Sequence, residues 1–204
     1  FDLTSVNFLA NLGMSKFKVP SGEITNFPYL KLIGEQRKPT ILSTGMANMN
    51  EIKEAVRVLL DSGLSKEDLT IMHCTTEYPA PVEEVNLNAM LGIKEELQIA
   101  IGYSDHTVGH EVALAAVAMG AKIIEKHFTL DRSLPGPDHA ASLEPEELVF
   151  FIQSIRKMEI ALGSFVKEPG PSESKNIPIV RKSIVANRNI KKGEKFTEKN
   201  LTTK

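Results

Sequence analysis

One cysteine, Cys74, is all that the 204 residues carry. An internal disulfide is therefore excluded, and a reducing compartment is the expected setting. No apolar run is long enough to span a bilayer and nothing resembles a cleavable signal, so a cytoplasmic protein with no membrane partner is expected. An excess of one charge is also missing: 24 Lys and Arg stand against 26 Asp and Glu, a net charge of -2. That balance makes no electrostatic case for nucleic acid as a partner. No glycine-rich phosphate fingerprint follows any apolar run, which counts against a dinucleotide-binding, doubly wound sheet. The chain starts at Phe1 without an initiator methionine and stops at Lys204 in a polar stretch. It reads as part of something longer.

What is present is a recurrence. Short apolar runs ending in small or polar residues fall at Phe17–Val19, Thr40–Leu42, Leu69–Met72, Ile99–Ile101 and Lys122–Ile124, with the roughly 30-residue spacing of βα units. Helical patterns lie between them. Ile52, Ala55, Val56, Leu59 and Leu60 form one stripe, with Asn48 or Asn50 able to cap its start and Gly63 its end. Glu111 to Met119 forms another helix, and a third begins near Pro145, burying Leu148, Phe151, Ile152 and Ile155 and ending around Gly163. Phe1 to Met14 is read as a helix ahead of the first strand. The expected class is α/β: a parallel (β/α)8 barrel lacking its first strands, since about 250 residues are usual for a complete one. Residues 1–166 make up this portion. Residues 167–180, with Pro169, Gly170, Pro171 and Pro178, read as a linker. Residues 181–204, with Ser183–Ala186 and the turn Lys191–Glu194, read as the start of a small β-rich module.

Two histidines are delivered by consecutive strand ends, His106 in Gly102–Thr107 and His127 in Glu125–Thr129. In a barrel such ends form the catalytic face, where two neutral imidazoles can hold a divalent metal; taken singly, each histidine could equally be a packing or hydrogen-bonding group. Side chains two apart share a strand face. Ser104 and His106 therefore point one way and Asp105 the other; Glu125 and His127 point one way and Lys126 toward the helices. Thr76 and Tyr78 are in phase, with His73 out of phase and helix-facing. Hydroxyls gather at the same ends, among them Ser21, Ser43, Thr76 and Ser104, and suit a phosphate or carboxylate, with helix capping as the alternative. Lys18 on an apolar strand implies an anion, because a buried ammonium is costly alone; Glu23 could pair with it or bind a sugar hydroxyl. Asp138 lies in the long loop Leu130–Ala141, as a water- or hydroxyl-binding group or as a turn residue after Pro137.

Six motifs occur in order: Lys18–Glu23, Leu42–Met46, His73–Pro79, Gly102–Thr107, Glu125–Asp131 and Pro135–His139. Together they resemble the sialic acid (N-acetylneuraminate) synthase family, and Arg181–Lys204 resembles the start of that family's antifreeze-like (SAF) domain. The resemblance implies a TIM barrel that condenses phosphoenolpyruvate with open-chain N-acetylmannosamine, giving N-acetylneuraminate and phosphate with cleavage of the C–O bond of phosphoenolpyruvate. It implies His106 and His127 as ligands of Mn2+, with Mg2+ or Co2+ as substitutes. Lys18, Ser21, Ser43, Thr76 and Ser104 would hold phosphoenolpyruvate, and Glu23, Tyr78 and Asp138 would face the sugar. Thr76 departs from the asparagine common in the family. A domain-swapped homodimer is implied for the whole protein, and the 204-residue chain alone is expected to be inactive or poorly folded. Rival readings are a legionaminic or pseudaminic acid synthase using a diacetamido-trideoxyhexose, a Schiff-base aldolase using Lys126, and a metal- or sugar-binding module without turnover.

Overall fold

The apolar runs become five strands, β1 (Phe17–Val19), β2 (Thr40–Ser43), β3 (Leu69–Cys74), β4 (Ala100–Asp105) and β5 (Ile124–Lys126), of one wholly parallel sheet in a computed structural model that describes residues 1–204. Their order in the sheet is their order in the chain. Thr40 is level with Leu69, Ile71 with Ile101, and Ser104 with Glu125. Parallel neighbours need crossovers, and helices supply them: α1 (Leu3–Asn11) precedes β1, followed by α2 (Phe27–Glu35), α3 (Met49–Asp61), α4 (Leu87–Leu97), α5 (Glu111–Ala118) and α6 (Pro145–Leu162). Stepping one strand at a time, the sheet curls into the wall of half a barrel. All five strand C-termini therefore open at one end.

The buried layer lies between sheet and helices. Val19, Leu42, Ile71, Ile101 and Tyr103 pack there with Leu30 and Ile33 of α2, Leu59 of α3 and Met90 of α4. Helix α3 starts at Asn48, whose side chain accepts from the Asn50 and Glu51 amides while Glu51 returns a bond to the Asn48 N–H. Two expectations shift. Strand β5 is Ile124–Lys126 rather than Lys122–Ile124, because the Lys122 amide is spent on the Ile101 carbonyl in a turn before regular pairing begins. Ile152 is exposed, since α6 buries Phe151 with Leu148 and Ile155 alongside, against α5 and Leu143. One residue past the buried Phe151, position 152 lies about 100° further round the helix.

Residues Phe1–Gly163 form one compact unit and Ser164–Lys204 a second. Within the second, the stretch expected as a linker carries two short helices, α7 (Pro171–Ser174) and α8 (Ile177–Val180), each with a proline in its first turn. Proline there starts a helix instead of breaking one. Strand β6 (Ile184–Ala186) pairs antiparallel with β7 (Leu201–Thr203). Asn200 is the buried residue of this unit, donating to the Lys195 carbonyl at 2.9 Å and accepting from the Thr197 amide at 2.8 Å.

Candidate active site

Alternation places the side chains of β4 and β5 as their phase dictates. Ser104, His106, Glu125 and His127 face the concave interior, whereas Asp105 and Lys126 meet on the helix side. The His106 and His127 rings lie 5.3 Å apart between centroids at 74°. Tyr78, from the loop after β3, stacks on His127 at 4.2 Å and sets its edge to His106 at 5.2 Å. Its hydroxyl is 3.3 Å from Ser142 Oγ, and partial burial raises its pKa, so the phenol stays protonated. Asp138 lies in the loop after β5, its Oδ2 3.6 Å from His127 Nδ1.

His106 is fixed in one tautomer. Its Nδ1 donates to the Thr75 carbonyl at 2.6 Å, which leaves the Nε2 lone pair unprotonated, 3.4 Å from Ser104 Oγ, and burial lowers the pKa of the ring. A neutral imidazole with a free Nε2 is the form that ligates a metal. No group of three or more His, Cys, Asp or Glu side chains is gathered for an ion. The donor set thus fits a two-histidine centre whose other positions are left to substrate or water.

The anion-binding candidates sit beside this pair. Lys18 faces the same interior from β1, its Nζ 3.1 Å from Glu125 Oε1, which also accepts from Ser104 Oγ at 2.8 Å. Lys18 is not buried as expected: its side chain is 36% exposed, because the interior of the half-barrel is open. Its partner is Glu125, and Glu23 instead accepts from Asn26 at 2.7 Å, on the 3-10 turn Ser21–Glu23 that leads away to α2. Ser21 Oγ accepts from the Gly45 amide at 2.9 Å and lies 3.3 Å from Cys74 Sγ. Cys74 is level with Ser104, so the serines share the strand-end layer. A Cβ on Gly45 would come within 2.5 Å of Thr76 Cγ2 and 3.0 Å of Ser21 Oγ, which puts Thr76 beside Ser21. Ser43 Oγ is buried with no hydrogen-bond partner, a state native proteins rarely leave uncompensated. Its unmet hydroxyl at a strand end is what an anion site would use.

The structure thus gathers His106, His127, Tyr78, Asp138, Ser104 and Lys18, brings Ser21 and Thr76 together one strand away, and sets Glu23 apart. Glu125 was missed as a site residue, although its shared face with His127 was the available signal. His73 is satisfied by the Val85 carbonyl at 2.7 Å, in line with its helix-facing phase. Lys126 Nζ is turned from the interior and spent on Asp105 and the Thr107 carbonyl, so Lys126 offers no amine to the interior for a Schiff base.

Comparison with known proteins points the same way. Residues 1–167 match the model of the NeuB family. The whole chain is 57% identical to 61% of N,N'-diacetyllegionaminic acid synthase from Campylobacter jejuni. Over 98% of the chain it is 46% identical to 57% of the protein of that name from Legionella pneumophila. It is 38% identical throughout to 56% of human N-acetylneuraminate-9-phosphate synthase. The crystal structure of the Leptospira borgpetersenii N-acetylneuraminic acid synthetase, in complex with citrate, superposes with a TM-score of 0.79 at 36% identity, over 88% of this chain and 62% of that one. The chain spans about 60% of the curated relatives it matches. With its half-barrel, its paired histidines and a family match over four-fifths of its length, the chain belongs to the NeuB family.

Proposed function

We propose that the protein condenses phosphoenolpyruvate with the aldehyde form of an acetamido sugar, giving a sialic-acid-type sugar acid and phosphate. The observation that carries this reading is the juxtaposition of the His106–His127 imidazole pair with the Lys18–Glu125–Ser104 cluster at one end of the half-barrel. One side holds an electrophile and the other an anionic nucleophile. The relatives favour a 2,4-diacetamido-trideoxyhexose as acceptor over N-acetylmannosamine, because two diacetyllegionaminic acid synthases at 57% and 46% identity lie nearer than the neuraminate-9-phosphate synthase at 38%.

Lys18 leaves Glu125 for an oxygen of phosphoenolpyruvate, and Ser43, Ser21, Thr76 and Ser104 supply hydroxyls to the same molecule. Held so, its enol carbon meets the sugar aldehyde with the entropy of encounter already met by binding. A divalent ion on His106 and His127, when bound, supplies Lewis-acid polarisation of that aldehyde. Tyr78 covers His127 and walls off one side. The C–C bond forms and the aldehyde oxygen takes a proton. Water adds to the positively charged phosphate-bearing carbon and gives one proton to Asp138, which balances the proton taken by the aldehyde oxygen; the new hydroxyl becomes the keto oxygen as its second proton passes to the departing phosphate, which keeps the bridging oxygen.

Phosphate release from phosphoenolpyruvate by the full-length protein is the test, with Mn2+ and with both classes of sugar, in the presence and absence of EDTA. Chelator-sensitive release with the diacetamido sugar and oxygen-18 from the bridge recovered in phosphate are expected. Release only with N-acetylmannosamine reverses the acceptor assignment, and no release with either sugar overturns the reading.

A further inference from the structure

Asp105 and Lys126 immediately precede the two histidines and are register partners on β4 and β5. Lys126 Nζ lies 2.8 Å from Asp105 Oδ2, and the side chains are 5% and 0% exposed. The remaining polar atoms of the knot are occupied. Asp105 Oδ1 accepts from the Thr107 amide at 3.0 Å and its hydroxyl at 2.7 Å, while Lys126 donates again to the Thr107 carbonyl at 2.7 Å. One carboxylate and one ammonium thus bind both flanks of His106 to the residue before His127. Strand β5 has only three residues and pairs only with β4. Asp105–Lys126 is the last register pair before the chain leaves for His127.

An ion pair withdrawn from water is a weak source of net stability, because desolvating both charges offsets most of their attraction. Its directional bonds do supply fixed geometry, whereas neighbours in this layer such as Ile101 and Ile71 are apolar. We propose that the Asp105–Lys126 pair, with Thr107, is the positioning device that sets the separation and orientation of the His106 and His127 imidazoles. Its bearing on a metal rests on the reading of those histidines as ligands; its bearing on the rings does not. Neither residue touches the site interior, so both act through the histidines.

The test is the double variant Asp105→Asn/Lys126→Met, which removes both charges together and keeps an oxygen for Thr107, so that no unpaired charge is buried. Two readouts apply to the 204-residue chain: NOEs between the Tyr78 ring and each imidazole without metal, and Co2+ affinity from its visible absorption. The variant is expected to fold, to lose the NOE pattern, and to bind Co2+ at least about 10-fold more weakly. Thr107→Val, which deletes only one bond of the knot, is expected to weaken Co2+ about fivefold and carries the test if the double variant does not fold. A folded variant with unchanged NOEs and unchanged Co2+ affinity overturns the proposal. A parent chain that ignores Co2+ while the variant still loses its NOEs refutes the metal reading and leaves the positioning role standing.

Discussion

Two lysine–carboxylate pairs lie on opposite faces of the same sheet end, and they are built for opposite purposes. Lys126 and Asp105 are 5% and 0% exposed and bonded at 2.8 Å, with Thr107 taking what each has left. Lys18 and Glu125 are 36% and 34% exposed and meet at 3.1 Å in an open interior, and at the end of β2 Ser43 Oγ has no partner at all. The chemistry is the same in both; burial and satisfaction differ. A pair bonded at every polar atom and withdrawn from solvent holds backbone in place. A pair in water with spare donors is a placeholder that an incoming anion can replace at little cost. The comparison teaches that the fixed pair organises the site and the loose one serves it.

The comparison breaks most visibly in stability. Asp105→Ala strands a buried ammonium and is expected to cost about 3–5 kcal/mol. Glu125→Gln, at a pair more than a third exposed on the lysine side, is expected to cost about 0–1 kcal/mol. Urea denaturation of the two variants side by side measures the gap, and equal losses would erase the distinction.

Function reverses the ranking. Lys18→Met is expected to leave the fold intact and raise KM for phosphoenolpyruvate about 10- to 100-fold, the worth of one charge-assisted bond. Steady-state kinetics decide it, and an unchanged KM would make Lys18 a surface lysine. A smaller, steric effect is expected from Gly45→Ala. Its methyl group would meet Thr76 Cγ2 at 2.5 Å and Ser21 Oγ at 3.0 Å, and overpacking of that kind costs about 1–3 kcal/mol. Because the Gly45 amide also holds Ser21, phosphoenolpyruvate binding measured by calorimetry is expected to weaken with it; unchanged binding would separate Ser21 from the anion site.

Much of this was legible along the strands and little of it across them. Alternation alone put Ser104 and His106 on one face, Asp105 and Lys126 on the other, and His73 toward the helices, because a strand side chain has only two directions to choose from. The partner of Lys18 was not legible. Glu23 is five residues away in the chain but sits on a turn, whereas Glu125 is reached only when β1 and β5 face each other across the curl of the sheet. The helices at Pro171 and Pro178 were hidden for a different reason: proline signals both the end of one element and the first turn of the next. Strand β7 was missed because it is a three-residue partner that exists only once β6 is there to pair with it.

The smallest expected effect is a pH dependence of the metal-free protein. Burial lowers the pKa of His106 in the folded state, so the unfolded chain binds more protons there as pH falls through the ordinary imidazole range. The contribution of a neutral His106 is therefore complete above the unfolded value near 6.5 and declines as pH drops below it toward the folded value. Denaturation with EDTA at pH 7.5 and 5.5 is expected to show lower stability at 5.5, with a smaller difference in His106→Asn; an identical difference in both proteins would assign the effect elsewhere.

The contrast between the two ion pairs is tested most directly by a crystal structure of the protein with phosphoenolpyruvate bound. Lys18 Nζ is expected on an oxygen of the ligand, with Ser43 Oγ hydrogen-bonded to it and Asp105–Lys126 unchanged at its present 2.8 Å. Phosphoenolpyruvate bound away from Lys18, with Lys18 still held only by Glu125, would contradict it.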